Sequence, residues 1–208
     1  NFFSIFDFGN TENIGWAVTM MLALASAGTV LFTFWITTYF AKKIRTALGE
    51  VDLSTTTNKI LIFGSGAAGA LALTFSDTFW FSAVEAEVYA LSSFFTALTF
   101  WAMLKWESKA NTDPYADKWL IFIAYIIGLA IGTHLLNLLV IPTVAIIYYF
   151  KKYEYSRMGL LTALGVGLGS LLFIQKILIP GLPYLAAKFD HALVNSAGLP
   201  FYSGALLL

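Results

Sequence analysis

The 208-residue chain is 59% hydrophobic and 12% charged, against about 25% charged in an ordinary soluble domain. Its formal net charge is zero, and the absence of a basic excess argues against a nucleic-acid partner. With no cysteine and two histidines, disulfides, thiolate metal sites and a histidine-rich metal site are all excluded.

A soluble protein of this size has too little polar surface to cover so much apolar side chain, whereas a lipid-facing surface removes the difficulty. The expected fold is therefore an all-α, polytopic transmembrane helix bundle with about five to six membrane helices. The chain opens on Asn1 rather than Met. It stops at Leu206, Leu207 and Leu208, which read as the start of a further apolar run, so it is expected to be a piece of a longer protein. The opening stretch has neither the basic region nor the cleavage site of a signal peptide.

A spanning helix needs roughly 20 apolar residues. The first such run covers residues 14–41 and is followed by Lys42, Lys43 and Arg45. Residues 45–59, with a Ser-Thr-Thr-Thr-Asn stretch, read as a solvated loop. The second run, residues 60–75, is rich in Gly and Ala (Gly64, Gly66, Gly69), which lets helices approach closely in lipid. Ser76, Asp77 and Thr78 then break the chain in the manner of a helix cap. A third run covers residues 85–104. After a polar loop containing Asp113 and Pro114, residues 119–150 are apolar throughout. One helix of that length spans ~48 Å, well beyond a ~30 Å hydrocarbon core. Two helices, residues 119–134 and 136–150, with Gly132, Thr133, His134 and Asn137 at the top of a hairpin, fit better. The last run covers residues 158–179, with Gly165, Gly167 and Gly169, and ends at Pro180-Gly181-Leu182-Pro183. Residues 184–203 are expected to lie at the membrane interface. The whole is read as one transmembrane domain, with no repeat, heptad or low-complexity segment.

Charge gives an orientation. Ten of the twelve basic residues fall in three loops: Lys42, Lys43, Arg45 and Lys59; Lys105, Lys109 and Lys118; Lys151, Lys152 and Arg157. The helix count with the hairpin places all three on one side, which the positive-inside rule makes the cytoplasm. The other face collects Asp77, Glu85, Glu87, His134, Asn137, Asp190 and His191.

Ionisable groups at membrane depth are expensive and usually functional. Glu85 and Glu87, read as entering the mouth of an apolar helix, lie about 200° apart if that helix is regular, so only one faces a given point. The functional reading is a general base, a metal ligand or an acceptor for a substrate hydroxyl; the plain reading is a pair of solvated carboxylates. His134 suits phosphate binding or proton movement, or simply a bond to a helix end. Asn137 suits a helix–helix hydrogen bond, and with Asp77 and Tyr89 it is a candidate for binding substrate. Asp77 also suits a cap for the following helix. Asp190 and His191 are adjacent, and adjacent side chains rarely converge. The aromatic clusters read as belt and packing residues. No phosphate-binding loop for ATP is present.

The segment from Ser76 to Leu91 (SDTFWFSAVEAEVYAL), the segment from Gly128 to Leu139 (GLAIGTHLLNLL) and the segment from Asp113 to Trp119 (DPYADKW) resemble a bacterial membrane family grouped with the transmembrane protein O-mannosyltransferases of the GT-C fold. The likeness covers most of residues 10–155. It implies an inverting glycosyltransferase of the bacterial inner membrane. The enzyme would transfer a mannose-like sugar from a polyprenyl phosphate to a protein Ser or Thr, or another hydroxyl, on the extracytoplasmic side. The lipid-linked sugar is then a donor substrate and no cofactor is implied; the need for a divalent metal stays open. The resemblance matches Glu85 or Glu87 to an acidic element near the sugar phosphate and His134 to a polar residue near the donor phosphate. It also implies an essential acidic residue in a first extracytoplasmic loop before the first helix. Neither Asp7 nor Glu12 fits that motif, so these 208 residues alone are expected to be inactive. A proton-coupled transporter, or a non-catalytic membrane subunit, is the competing reading of buried carboxylates and a histidine. Single cysteines placed at Ser108 and Ala192 are expected to react with impermeant thiol reagents from opposite sides of the membrane; labelling from the same side overturns the topology.

Overall fold

The computed structural model describes residues 11–49, 55–85 and 87–204, and all regular structure among them is helical. The chain forms two compact units, residues 1–140 and 141–208. The first contains α1 (Thr11–Ala47), α2 (Thr56–Thr74), α3 (Asp77–Val84), α4 (Tyr89–Lys109), α5 (Lys118–Ile131) and a 3-10 turn (Leu135–Leu139).

Helix α1 packs against α2, α3 and α4. Small residues permit this: Gly66 lies under Phe34 and Thr38, Gly69 under Thr37, and Gly28 under the Phe94 ring. The hydroxyls of Thr29, Thr33 and Thr37 donate to carbonyls one turn back at 3.0, 2.8 and 2.8 Å. A stripe of threonines thus faces neighbouring helices without leaving a polar hydrogen unbonded.

Successive contacts fix the helix directions. Phe32 meets Phe94, Trp35 meets Trp101, and Tyr39 donates to Glu107, so α1 and α4 run parallel. Arg45 pairs with Asn58 while Thr38 lies on Gly66, so α2 runs antiparallel to α1. Trp106 donates to Asp117 at 3.3 Å, and Ser92 donates to Asn137 at 2.8 Å, so α5 and the following turn run back along α4. Trp106, Met103 and Ala102 are fully buried on α4, with Ile123, Ile126 and Ala130 on α5. The directions gather Lys42, Lys43, Arg45, Lys59, Lys105, Lys109 and Lys118 at one end of the unit. Asp77, Glu85, Glu87, Tyr89 and His134 gather at the other.

Two local expectations change. Ser76, Asp77 and Thr78, read as a cap-like break, open a further short helix, α3, bent by 65° from α2. The next helix starts at Tyr89 rather than at residue 85, which leaves Glu85 extended (φ −79°, ψ 137°) at the end of α3. Glu85 and Glu87 are thereby kept out of the apolar start of α4, as desolvation cost requires. Among the expected positions, residues 50–54 of the first polar loop, Asp7 and the side chain of Glu12 lie outside the described residues.

The second unit holds α6 (Val140–Lys152) and α7 (Arg157–Phe173), a π turn (Ile174–Leu178) and α8 (Ile179–Ala197). The Tyr149 hydroxyl closes the turn between α6 and α7: it accepts from the Ser156 amide at 2.7 Å and donates to the Glu154 carbonyl at 2.9 Å. Ser156 in turn caps α7 by accepting from the Gly159 amide. The sequence places the end of this last helix at Pro180 to Pro183, but it continues to Ala197. Prolines lack the N–H and crowd the carbonyl four residues back; the wider π turn just before Pro180 absorbs that mismatch. Residues 184–197 are therefore helix, ended at Gly198 in the left-handed region (φ +64°).

Three helical stretches are long and apolar enough to cross a membrane: Ile14–Ala47, Leu135–Lys152 and Arg157–Ala197. The bent α2–α3 pair makes a fourth if taken as one broken span. Two segments counted as spans from sequence fall outside this set for physical reasons. Helix α4 carries several Ser and Thr and ends in Lys105, Glu107 and Lys109, and α5 has only 14 residues. Large apolar side chains such as Leu24, Phe63 and Leu71 are more than half exposed, as a lipid-facing surface requires.

A Cβ at Gly167 would stand 2.7 Å from the Pro142 Cα on α6, whereas Gly165 and Gly169 face open space. Gly167→Leu is expected to lower stability by about 1–3 kcal/mol, seen as a fall in Tm in detergent. Gly165→Leu is expected to leave Tm unchanged or raised. Equal Tm values for the two variants would remove this account of α6–α7 packing.

Candidate functional site

The end of the first unit opposite the lysines is built on one carbonyl. Ala130, in the last turn of α5, accepts the Thr133 hydroxyl at 2.7 Å, the His134 amide at 3.0 Å and the Asn137 side-chain amide at 3.0 Å. Gly132 and Thr133 thus turn the chain out of α5, and His134 becomes the extended residue (φ −155°, ψ 128°) that starts the 3-10 turn. Asn137 completes the arrangement. Its Oδ1 accepts from Ser92 at 2.8 Å and from Thr96 at 3.1 Å, and its amide also donates to Thr133 Oγ1 at 3.3 Å. Asn137 is 3% exposed. All four of its hydrogen-bonding positions are taken by the protein, which makes it the clamp between α4 and the end of α5.

The clamp positions two side chains. Tyr89, the first residue of α4, lies one turn before Ser92, and its ring centroid is 5.6 Å from that of His134 at 44°. His134 Nδ1 accepts the Leu136 amide at 3.1 Å. That bond assigns the proton of the neutral ring to Nε2. Nε2–H is then the donor that the half-buried imidazole presents to a ligand.

Asp77, Glu85 and Glu87 are exposed around the same helix ends. Asp77 is the first residue of α3, behind an N-cap Ser76 whose own side chain makes no capping bond. There its charge complements the helix dipole. The Glu87 amide donates to the Glu85 carbonyl at 2.8 Å, so both glutamates belong to the linker between α3 and α4. The reading of them as helical neighbours on opposed faces does not apply. Among the described residues no three His, Cys, Asp or Glu side chains group as a metal ion needs. Asp190 and His191, in the second unit, engage different partners: Asp190 accepts the Gly204 amide at 3.2 Å, and the His191 ring lies 3.1 Å from the Asn195 amide.

Sequence reasoning missed the partners of Asn137. Ser92 and Thr96 stand one turn apart and so share a face of α4, but two hydroxyls in an apolar helix commonly bond their own backbone. It also missed the polar group at the basic end. There Glu107 accepts from Tyr39 and pairs with Lys43 at 2.9 Å, and Arg45 donates to the buried Asn58 at 3.1 Å.

The family model described as the protein O-mannosyl-transferase TMEM260 N-terminal domain matches residues 1–157. The chain belongs to that family. The match includes the whole first unit, with Asp77, Glu85, Glu87, Tyr89, His134 and Asn137. No curated protein and no solved structure matches the chain.

Asn137→Ala removes the four side-chain hydrogen bonds of a buried residue, those from half-buried Ser92 and exposed Thr96 among them, and is expected to cost about 1–3 kcal/mol. His134→Ala removes a half-buried ring and one local bond and is expected to cost about 1 kcal/mol or less. Thermal unfolding of the two variants in detergent checks the order; a His134 variant as damaged as the Asn137 variant would assign His134 a structural role.

Proposed function

We propose that the chain is part of a membrane glycosyltransferase with the GT-C architecture and several membrane crossings. It transfers a mannose-like sugar from a polyprenyl-phosphate donor to a Ser or Thr hydroxyl of a protein, or to a related hydroxyl. Membership of a protein O-mannosyl-transferase family over residues 1–157 carries the reading. The separation of charge in the first unit supports an orientation. The lysine-rich end belongs on the cytoplasmic side by the positive-inside rule, and the end with the carboxylates and His134 then faces outward, where the transfer takes place.

The chemistry asks for two things that this end offers. The acceptor hydroxyl must lose its proton as its oxygen attacks the anomeric carbon, and a carboxylate is a suitable base. Glu85 and Glu87 are exposed carboxylates at this end. They would act beside the first-loop acidic residue that the family resemblance implies. The bond between the anomeric carbon and the phosphate oxygen breaks, and the polyprenyl phosphate leaves with the electron pair. A hydrogen bond from His134 Nε2–H to a phosphate oxygen stabilises that developing charge. Tyr89 holds the imidazole from its ring face, and Asp77 lies where a sugar hydroxyl would find an acceptor.

The bent α2–α3 pair is the one observation that favours a transporter, since broken helices line many transport sites. One experiment separates the readings. The full-length polypeptide, in membranes supplied with polyprenyl-phosphate mannose, is assayed for sugar transfer beside Glu85→Gln, Glu87→Gln and His134→Ala. The expected result is a loss of about 10²–10⁴-fold in at least one carboxylate variant, with a smaller loss for His134→Ala and expression unchanged. No transfer from several such donors, or a rate indifferent to all three changes, favours the transporter, which proton-coupled uptake would then reveal.

A further inference from the structure

At the lysine-rich end of the first unit, α1, α2 and α4 enclose a cavity of about 350 Å³. Its walls include Trp35, Phe63 and Trp101, and its rim carries Lys42 from α1 and Lys105 from α4. From these features we propose that the cavity binds one anionic phospholipid. The phosphodiester lies between the two ammonium groups, and an acyl chain follows the aromatic wall.

Charge is the first argument. Of the carboxylates described at this end, Glu107 is already paired with Lys43 at 2.9 Å and bonded by Tyr39, Asp117 accepts from Trp106 Nε1, and Asp113 accepts from the Tyr115 amide. Lys42 and Lys105 make no ion pair with a carboxylate among the described residues. Lys105 instead stands 5.4 Å from the Trp101 ring centroid, a cation–π contact that holds its ammonium over the cavity wall. Two positive charges therefore border one apolar cavity, with no carboxylate among the described residues that line it.

The wall decides the class of anion. A soluble anion gains nothing from tryptophan and phenylalanine faces, and a zwitterionic lipid gains little from two lysines. Phe63 is 57% exposed and Trp35 39% exposed on the sides of the cavity that face outward. An acyl chain laid along them removes apolar surface from the exposed face while the phosphate meets the lysines. Basic pockets between membrane helices bind acidic headgroups by this combination. The site is at the opposite end of the unit from His134, so it is separate from the proposed transfer site.

The test is lipid retention by native mass spectrometry. The full-length polypeptide is purified in a mild detergent and exposed to an equimolar mixture of phosphatidylglycerol and phosphatidylcholine of equal chain length. The expected result is one retained phosphatidylglycerol, with retention lowered about 20-fold in Lys42→Gln/Lys105→Gln and largely restored in Lys42→Arg/Lys105→Arg. Lys109→Gln/Lys118→Gln removes the same charge away from the cavity and is expected to keep the lipid. Tm values within a few degrees of the parent show that the variants fold. If the double glutamine variant unfolds, the arginine pair with Trp101→Ala carries the test, because loss of the aromatic wall is also expected to release the lipid. Equal retention of both lipids, an undiminished complex in the cavity variants, or equal loss in the Lys109/Lys118 control overturns the proposal. Displacement of the phosphatidylglycerol by millimolar inorganic phosphate also overturns it, since the site would then read a bare anion.

Discussion

Ionised side chains are costly in hydrocarbon, and the first unit is organised around keeping them at its two ends. Parallel packing of α1 on α4 brings the basic ends of both helices together. The antiparallel returns of α2 and α5 add Lys59 and Lys118 to that same end. What remains for the opposite end is Asp77, Glu85, Glu87 and His134. Helix direction and residue chemistry are therefore one constraint. Reversing α4 in place would carry Lys105 and Lys109 to the carboxylates and put Glu87 among the lysines.

Between the ends, polar groups survive only where the protein satisfies them. The threonines of α1 bond their own backbone, which costs no partner helix anything. Asn137 takes the other course and bonds across helices, gathering Ser92, Thr96, Thr133 and the Ala130 carbonyl. A residue with two donors and two acceptor positions ties a helix start to a helix end at one point. The benefit is geometric. With α4 and the end of α5 fixed there, Tyr89 and His134 are held ring to ring although 45 residues of chain separate them.

Much of this was readable from the sequence because apolar runs, glycines and lysines report on lipid directly. The interruption of residues 119–150 was legible because 32 apolar residues exceed the bilayer and Gly132, Thr133 and His134 are poor candidates for its interior. Three features were not legible, each for a local reason. The Glu85 and Glu87 linker looks like a helix mouth, since Val84, Val88 and their neighbours are apolar on both sides and only the tertiary fold bends α3 away. Pro180 and Pro183 look like a stop, yet the helix runs on from a five-residue π turn, with Pro180 in the first turn of α8 and Pro183 inside it. The partners of Asn137 are 41 and 45 residues away, a separation that no local pattern reports.

The same logic relates the two ends of the unit to function. A transfer that leaves a lipid phosphate behind needs an acceptor for one proton and a donor to the departing phosphate. Placing them in the linker between two helices and on a clamped ring respectively lets the two behave differently. The carboxylates of the linker are exposed to an incoming acceptor, while His134 keeps a fixed tautomer through its bond to the Leu136 amide. Fixing the donor matters more than fixing the base, because a preorganised dipole stabilises developing charge without reorganising at the moment of reaction. In the proposed mechanism, phosphate departure would therefore depend on the turn from Ala130 to Asn137, which positions His134.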